Sequence, residues 1–200
     1  MAADLTTATW TCVFSSQFPS KERTGKEVHS EHTQAVQEAT SQLSVVKRVK
    51  CISLQIPQIK VWFNQAYEQL GIMISVNNNS AIFNSYLIHH YSRANDKFPA
   101  LCLLIKHWAN RQLFTHFTVL HFLQVGCDPP VLPNLQKLYP DFFSDDLDLQ
   151  QLNIFGSLPT PLPNAPRNNK SIGELLIAFF EYYNCFDFDN KAISISKAKL

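Results

Sequence analysis

Asp145, Asp146 and Asp148, in Ser144-Asp145-Asp146-Leu147-Asp148-Leu149, are close enough in sequence for hard oxygen donors to converge on a divalent cation. Carboxylates grouped in this way more often form a solvated acidic loop beside a helix, and this run follows the turn-like Tyr139-Pro140-Asp141-Phe142-Phe143, so the loop reading is preferred. Met73 raises the opposite question. In Ile72-Met73-Ile74-Ser75-Val76, the apolar Ile72, Ile74 and Val76 alternate with Met73 and Ser75, the period of a strand with one face on a core and the other free to line a site. Met73 falls on the free face. Its thioether is soft and neutral, and cannot serve as a ligand for Mg²⁺. His89, His90, His116 and His121 do not make an i, i+4 pair with a supporting Glu, so no zinc site is predicted. The five cysteines are widely spaced and contain no C-x-x-C pair, and they read as reduced structural thiols.

The elements that must position these groups change character along the chain. Residues 1–30 are rich in Thr, Ser and charge without a sustained period, and read as a loosely ordered leader. Glu31 to Leu43 forms an amphipathic helix with Val36, Ala39, Thr40 and Leu43 on one face. Val49 to Leu54 and Ile56 to Phe63 read as strands, and Gly71 to Val76 is a third, paired with Ile59 to Phe63. Helical spacing follows: Phe83, Leu87 and Tyr91, then Leu101, Leu104, Ile105 and Trp108, then Phe117, Leu120, Phe122 and Leu123. Asp128 to Gln136 and Leu158 to Asn169 are proline-shaped loops. Ser171 and Glu174 form a capping box for a helix burying Leu175, Leu176, Phe179, Phe180 and Tyr183.

With 46% hydrophobic and 16% charged residues over 200 positions, the composition is globular. A formal charge of +1 gives no global field toward nucleic acid, so any such site must be a local basic patch. No apolar run is long enough to span a membrane, and Met1-Ala2-Ala3-Asp4-Leu5 lacks the basic-then-apolar order of a secretory signal, so a cytoplasmic location is the default.

Taken in order, Ile72 to Asn79, the Asn84-Ser85 pair, Lys106-His107-Trp108, Pro129-Pro130-Val131-Leu132-Pro133-Asn134-Leu135-Gln136, Ser171 to Tyr183 and Phe186-Asp187-Phe188-Asp189 resemble RNA nucleotidyltransferases of the cytoplasmic poly(A) polymerase and terminal uridylyltransferase family, of the germline-development type. The resemblance covers roughly residues 45 to 197, in pieces. It implies an α+β fold: a remnant of a nucleotidyltransferase palm sheet of about three strands within 31–79, joined to a mainly helical central domain with the poly(A)-polymerase-associated segment within 80–200. It also implies transfer of AMP or UMP to RNA 3′ ends, with ATP as substrate, Mg²⁺ or Mn²⁺ as cofactor, and an RNA-binding regulatory protein as partner, without membrane or DNA.

In that family the strand reads Asp-Ile-Ser-Val-Asn-Asn, and its Asp is the third of three metal-binding carboxylates. Met73 occupies that position. The other two come from an upstream Asp-x-Asp, whereas Asp4 is the only aspartate before the Gly71 strand, so no catalytic set is intact. The resemblance assigns ribose contact to Asn84 and triphosphate contact to Lys106; a second expected lysine is replaced by Asn110, and the expected Ser-Ser-Tyr element is missing around Arg111 to Phe117. The implied function is a nucleotidyltransferase impaired in catalysis; the alternative is a non-catalytic binding or regulatory module derived from it. The C-terminal Ile193-Ser194-Ile195-Ser196 is similar to a family strand.

Overall fold

The computed structural model describes residues 9–14, 25–52, 57–64, 67–68, 70–76, 78–109, 115–144, 147, 152–153, 156–162 and 168–197, with side chains from His32 onward except Thr115. The chain divides into two compact units, Met1–Phe83 and Asn84–Leu200.

In the first unit, strands β1 (Thr9–Phe14), β2 (Val46–Ile52), β3 (Gln58–Phe63) and β4 (Gly71–Val76) form a four-stranded sheet in the order β1-β4-β3-β2. The neighbours β4/β3 and β3/β2 are antiparallel, and β1 joins parallel to β4. β1 lies inside the stretch for which the sequence predicts no element, so the sheet has four strands rather than about three. Helix α1 (Gly25–Ser41) also starts earlier than expected. Its buried side is Thr33, with Val36 and Thr40 half-buried, one and two turns on. Leu43 lies past the helix end and is exposed, so it does not extend that face. The predicted alternation in β4 holds on the core side, where Ile74 packs with Ile59 and Val61 of β3, and Val36, Val46, Val49, Phe63 and Ile72 close around them.

The second unit is helical, with α2 (Asn79–Ala94), which begins in the first, α3 (Lys97–Trp108), α4 (Thr115–His121) continuing into a π-helical turn Phe122–Gly126, α5 (Leu135–Leu138) and α6 (Ile172–Asn184). One core joins Leu87 and Tyr91 of α2, Phe98, Leu101 and Ile105 of α3, Leu120, Phe122 and Leu123, and Leu175 and Phe179 of α6. Leu104 and Trp108, which helical spacing puts on the buried face of α3, are instead exposed, because the buried stripe is the narrower Phe98, Leu101, Cys102, Ile105. The capping box forms as the sequence predicts: the Ser171 N–H donates to Glu174 Oε2 at 2.7 Å, and the Glu174 N–H to Ser171 Oγ at 3.3 Å.

Both described loop regions are tied down by side-chain amides. Asn168 Nδ2 donates to the Pro129 carbonyl at 2.7 Å, beside the cis Asp128-Pro129 peptide. Asn134 Nδ2 donates to the Ile195 and Ser196 carbonyls at 3.1 and 2.9 Å. Residues 192–194 have no regular structure and 195–197 form a turn pinned to the α5 cap, in place of the strand expected at Ile193 to Ser196.

Candidate functional site

Met73 sits half-buried in the middle of β4, with Thr11 of β1 and Lys60 of β3 as its cross-strand partners. The strand period puts it opposite Ile72 and Ile74, as expected. Its own face is more closed than the sequence suggests, since Ser75 is buried and its hydroxyl lacks a hydrogen-bond partner. None of β1 to β4 contains an Asp or Glu, so the row through Met73 offers a divalent cation no anionic oxygen. The described residues of the sheet do not fit the Mg²⁺ or Mn²⁺ that the resemblance implies.

Lys60 shows what the sheet holds instead. Its ammonium lies 4.9 Å from the centroid of the Trp62 ring, and the guanidinium of Arg48, directly across from Trp62, lies 5.2 Å from the same ring. Lys60 is the direct β3 neighbour of Met73, the position where the resemblance calls for a carboxylate, and Arg48 lies one strand further out on β2. Sequence reading treated β2 and β3 as plain strands. The signal was present in Lys47-Arg48-Val49-Lys50 and Lys60, but the register that gathers them onto one surface is a product of pairing.

Asn84 is exposed on α2 and Lys106 is exposed in the last turn of α3, both in the second unit, whereas Met73 is in the first. Beside Lys106, Trp108 is 68% exposed and meets Phe180 of α6 edge-on, with ring centroids 4.8 Å apart. Burial and the positive charge of Lys106 lower the pKa of His116, so that imidazole favours its neutral form. Asp145, Asp146, Asp148, Asn110, Arg111 and Phe114 lie outside the described residues.

His90 on α2 and His121 on α4 belong to the interior. His90 is buried among Tyr86, Phe142 and Phe143, with ring centroids at 4.7, 5.2 and 5.5 Å. Burial, then the charges of His89 and Arg93, push its pKa down to about 4. α2 turns His90 toward the Phe142-Phe143 turn, a contact between distant segments, while His89 beside it is half-buried. His121 is fully buried and linked to Tyr183 at 3.0 Å. Burial pushes the Cys102 thiol up to about 12 and the Cys127 thiol up to about 11, so neither is a nucleophile at neutral pH.

Comparison with known proteins places this geometry. Residues 12–93 match the family described as "Poly(A) RNA polymerase, mitochondrial-like, central palm domain", and residues 171–200 match "Cid1 family poly A polymerase". The poly(A) RNA polymerase gld-2 of Caenorhabditis elegans is 32% identical over 170 residues, 77% of this chain and 15% of the relative. The human poly(A) RNA polymerase GLD2 is 30% identical over 168 residues, 77% of this chain and 34% of the relative. The chain thus spans about a third or less of the length of these relatives. Among solved structures, the GLD-2/RNP-8 complex superposes with a TM-score of 0.74 at 29% identity, covering 94% of this chain and 68% of that one. The structure of mtPAP in complex with ATPγS shares the fold, with a TM-score of 0.68 at 20% identity over 93% of this chain and 43% of that one. With a palm match and a polymerase-associated match in the expected order, and relatives about 30% identical over most of its length, the chain belongs to the poly(A) RNA polymerase family.

Proposed function

We propose that this chain is, by descent, a nucleotidyltransferase of RNA 3′ ends that binds its substrates but does not itself transfer AMP or UMP. The observation that carries the reading is Met73, seated between Thr11 and Lys60 in a sheet without carboxylates. Two-metal transfer needs one ion to activate the RNA 3′-hydroxyl and one to hold the leaving group. A sheet that cannot ligate either loses both effects at once.

What remains is suited to recognition. Asn84 has an amide to pair with a ribose hydroxyl, and Lys106 a charge to set against the triphosphate of ATP or UTP; both are exposed. RNA and an RNA-binding regulatory protein are the proposed partners, in keeping with the complexes in which GLD-2 has been solved with RNP-8 and with GLD-3. The proposed location is cytoplasmic; among the described residues no helix is long and apolar enough to cross a membrane.

A second reading, a binding or regulatory module with no residual role for nucleotide, is favoured by the second unit. Its core, capping box and pinned loops are well formed, while the strands of the first unit carry no carboxylate. Titration with Mn²⁺ tests the shared premise of both readings. The heat of mixing should show no saturable binding, and one-to-one saturable binding would overturn it.

A further inference from the structure

The chain as a whole is nearly neutral, but its sheet is not. Lys47, Arg48 and Lys50 on β2 and Lys60 on β3 have no carboxylate in any strand to balance them. Lys47 is bridged to Glu68. The other three share one face, because Lys50 pairs with Lys60 and Arg48 with Trp62, while the alternate set, Val49 with Val61 and Cys51 with Ile59, turns toward the core.

Two features of this face point to an anion. Lys50 and Lys60 are directly opposite, an arrangement that is repulsive unless something negative lies between them. The next residue in that row is Met73, which supplies no charge. In addition, the Trp62 ring holds the heads of Arg48 and Lys60 near the sheet by cation–π attraction, so less side-chain freedom is lost when they bind.

We propose that Arg48, Lys50 and Lys60 form a metal-independent binding site for the phosphate backbone of a single-stranded nucleic acid. Arg48 and Lys50 are two residues apart on one strand, about 7 Å along it, and Lys60 is one strand over, about 5 Å away. A flexible chain of phosphates can follow such a strip, whereas a single metal-bound triphosphate would not need it. Recognition through phosphates alone carries no sugar or base discrimination. The inference rests on the reading of the chain as a polymerase relative that binds rather than extends.

The test is fluorescence anisotropy with the full chain in EDTA, using labelled oligo(U) RNA and oligo(dT) DNA of about 12 nucleotides over about 50 to 200 mM salt. RNA and DNA should bind within about threefold of each other, with a log–log salt slope near −2 for three phosphate contacts on a single strand. The variant R48Q/K50Q/K60Q should bind at least about tenfold more weakly, and K191Q/K197Q should bind as the parent does. Lys50→Glu, which replaces the repulsive pair with an attractive one, should raise stability while weakening binding, so the proposal stays testable if the triple variant fails to fold. Binding that vanishes in EDTA, survives the triple substitution, or is displaced by polyglutamate at equal charge would overturn it. Primer extension by the parent chain with binding in EDTA intact would overturn the non-catalytic reading and leave this site standing. Absence of both extension and EDTA-resistant binding would do the reverse.

Discussion

The hydrogen bond between His121 and Tyr183 has a fixed direction. The Tyr183 hydroxyl donates its one proton to the Thr118 carbonyl at 2.8 Å, so at 3.0 Å it can only accept from His121 Nδ1. The imidazole is held as the neutral Nδ1–H tautomer, and its Nε2 is buried without a partner. The His121 ring is fully buried, so the histidine ties α4 to α6 and does no acid–base chemistry.

Tyr183→Phe therefore takes the acceptor away from the buried His121 Nδ1–H and should destabilise the second unit by about 1–3 kcal/mol. Urea denaturation followed by tyrosine and tryptophan fluorescence measures this. An unchanged midpoint would mean that the bond contributes nothing.

Stability should fall on mild acidification. Burial, with His89 and Arg93, lowers the pKa of His90 from 6.5 to about 4, and burial lowers that of His121. Both folded-state values are depressed, so the unfolded chain takes up protons first. Stability is full above about pH 6.5 and declines as pH drops toward 4, by up to about 1.4 kcal/mol per pH unit for each such histidine. The urea midpoint should drop between pH 7 and pH 5, and His90→Phe should flatten the drop. A midpoint that holds or rises over that interval would contradict the burial of both rings.

Tyr91 is the polar centre of the same unit. Its hydroxyl accepts from Gln124 Nε2 at 2.7 Å and from the Leu135 N–H at 2.9 Å, joining α2 to the π-helical turn and to α5. Tyr91→Phe removes the acceptor of the buried Leu135 N–H and the nearer of the two acceptors of Gln124 Nε2, and should cost about 2–4 kcal/mol, more than a surface substitution such as Lys137→Ala. Equal effects of the two would argue against the network.

Thiol labelling should follow exposure. Cys185 is exposed, while Cys102 and Cys127 are buried and held far from ionisation. Under native conditions iodoacetamide should modify Cys185 while leaving Cys102 and Cys127 intact until urea is added, as read by mass spectrometry. Modification of Cys102 at a similar rate to Cys185 would contradict the α3 packing.

Much of this was legible in residue order. The β4 alternation, its pairing with β3 and the Ser171-Glu174 box each rest on a period or spacing within a few residues, and the structure reproduces them. β1 was missed because Thr9-Trp10-Thr11-Cys12-Val13-Phe14 is a short run in a Thr- and Ser-rich stretch, and it becomes a strand through parallel pairing with β4, about 60 residues on. The burial of His90 and the exposure of Trp108 also depend on which distant segment covers each helix face, the Phe142-Phe143 turn in one case and the edge of α6 in the other. At the candidate site, the substitution at Met73 was visible at once from the resemblance, while the Lys50-Lys60 pair required the β2-β3 register.

Primer extension is the most direct test of the central claim: the purified chain with labelled oligo(A) RNA, ATP or UTP, and Mg²⁺ and then Mn²⁺, beside a Met73→Asp variant. One restored carboxylate does not rebuild a two-metal site, so neither form should lengthen the primer, although both remain folded. Lengthening by the parent chain would mean that carboxylates outside the sheet assemble a working metal site, and the account of Met73 would be wrong.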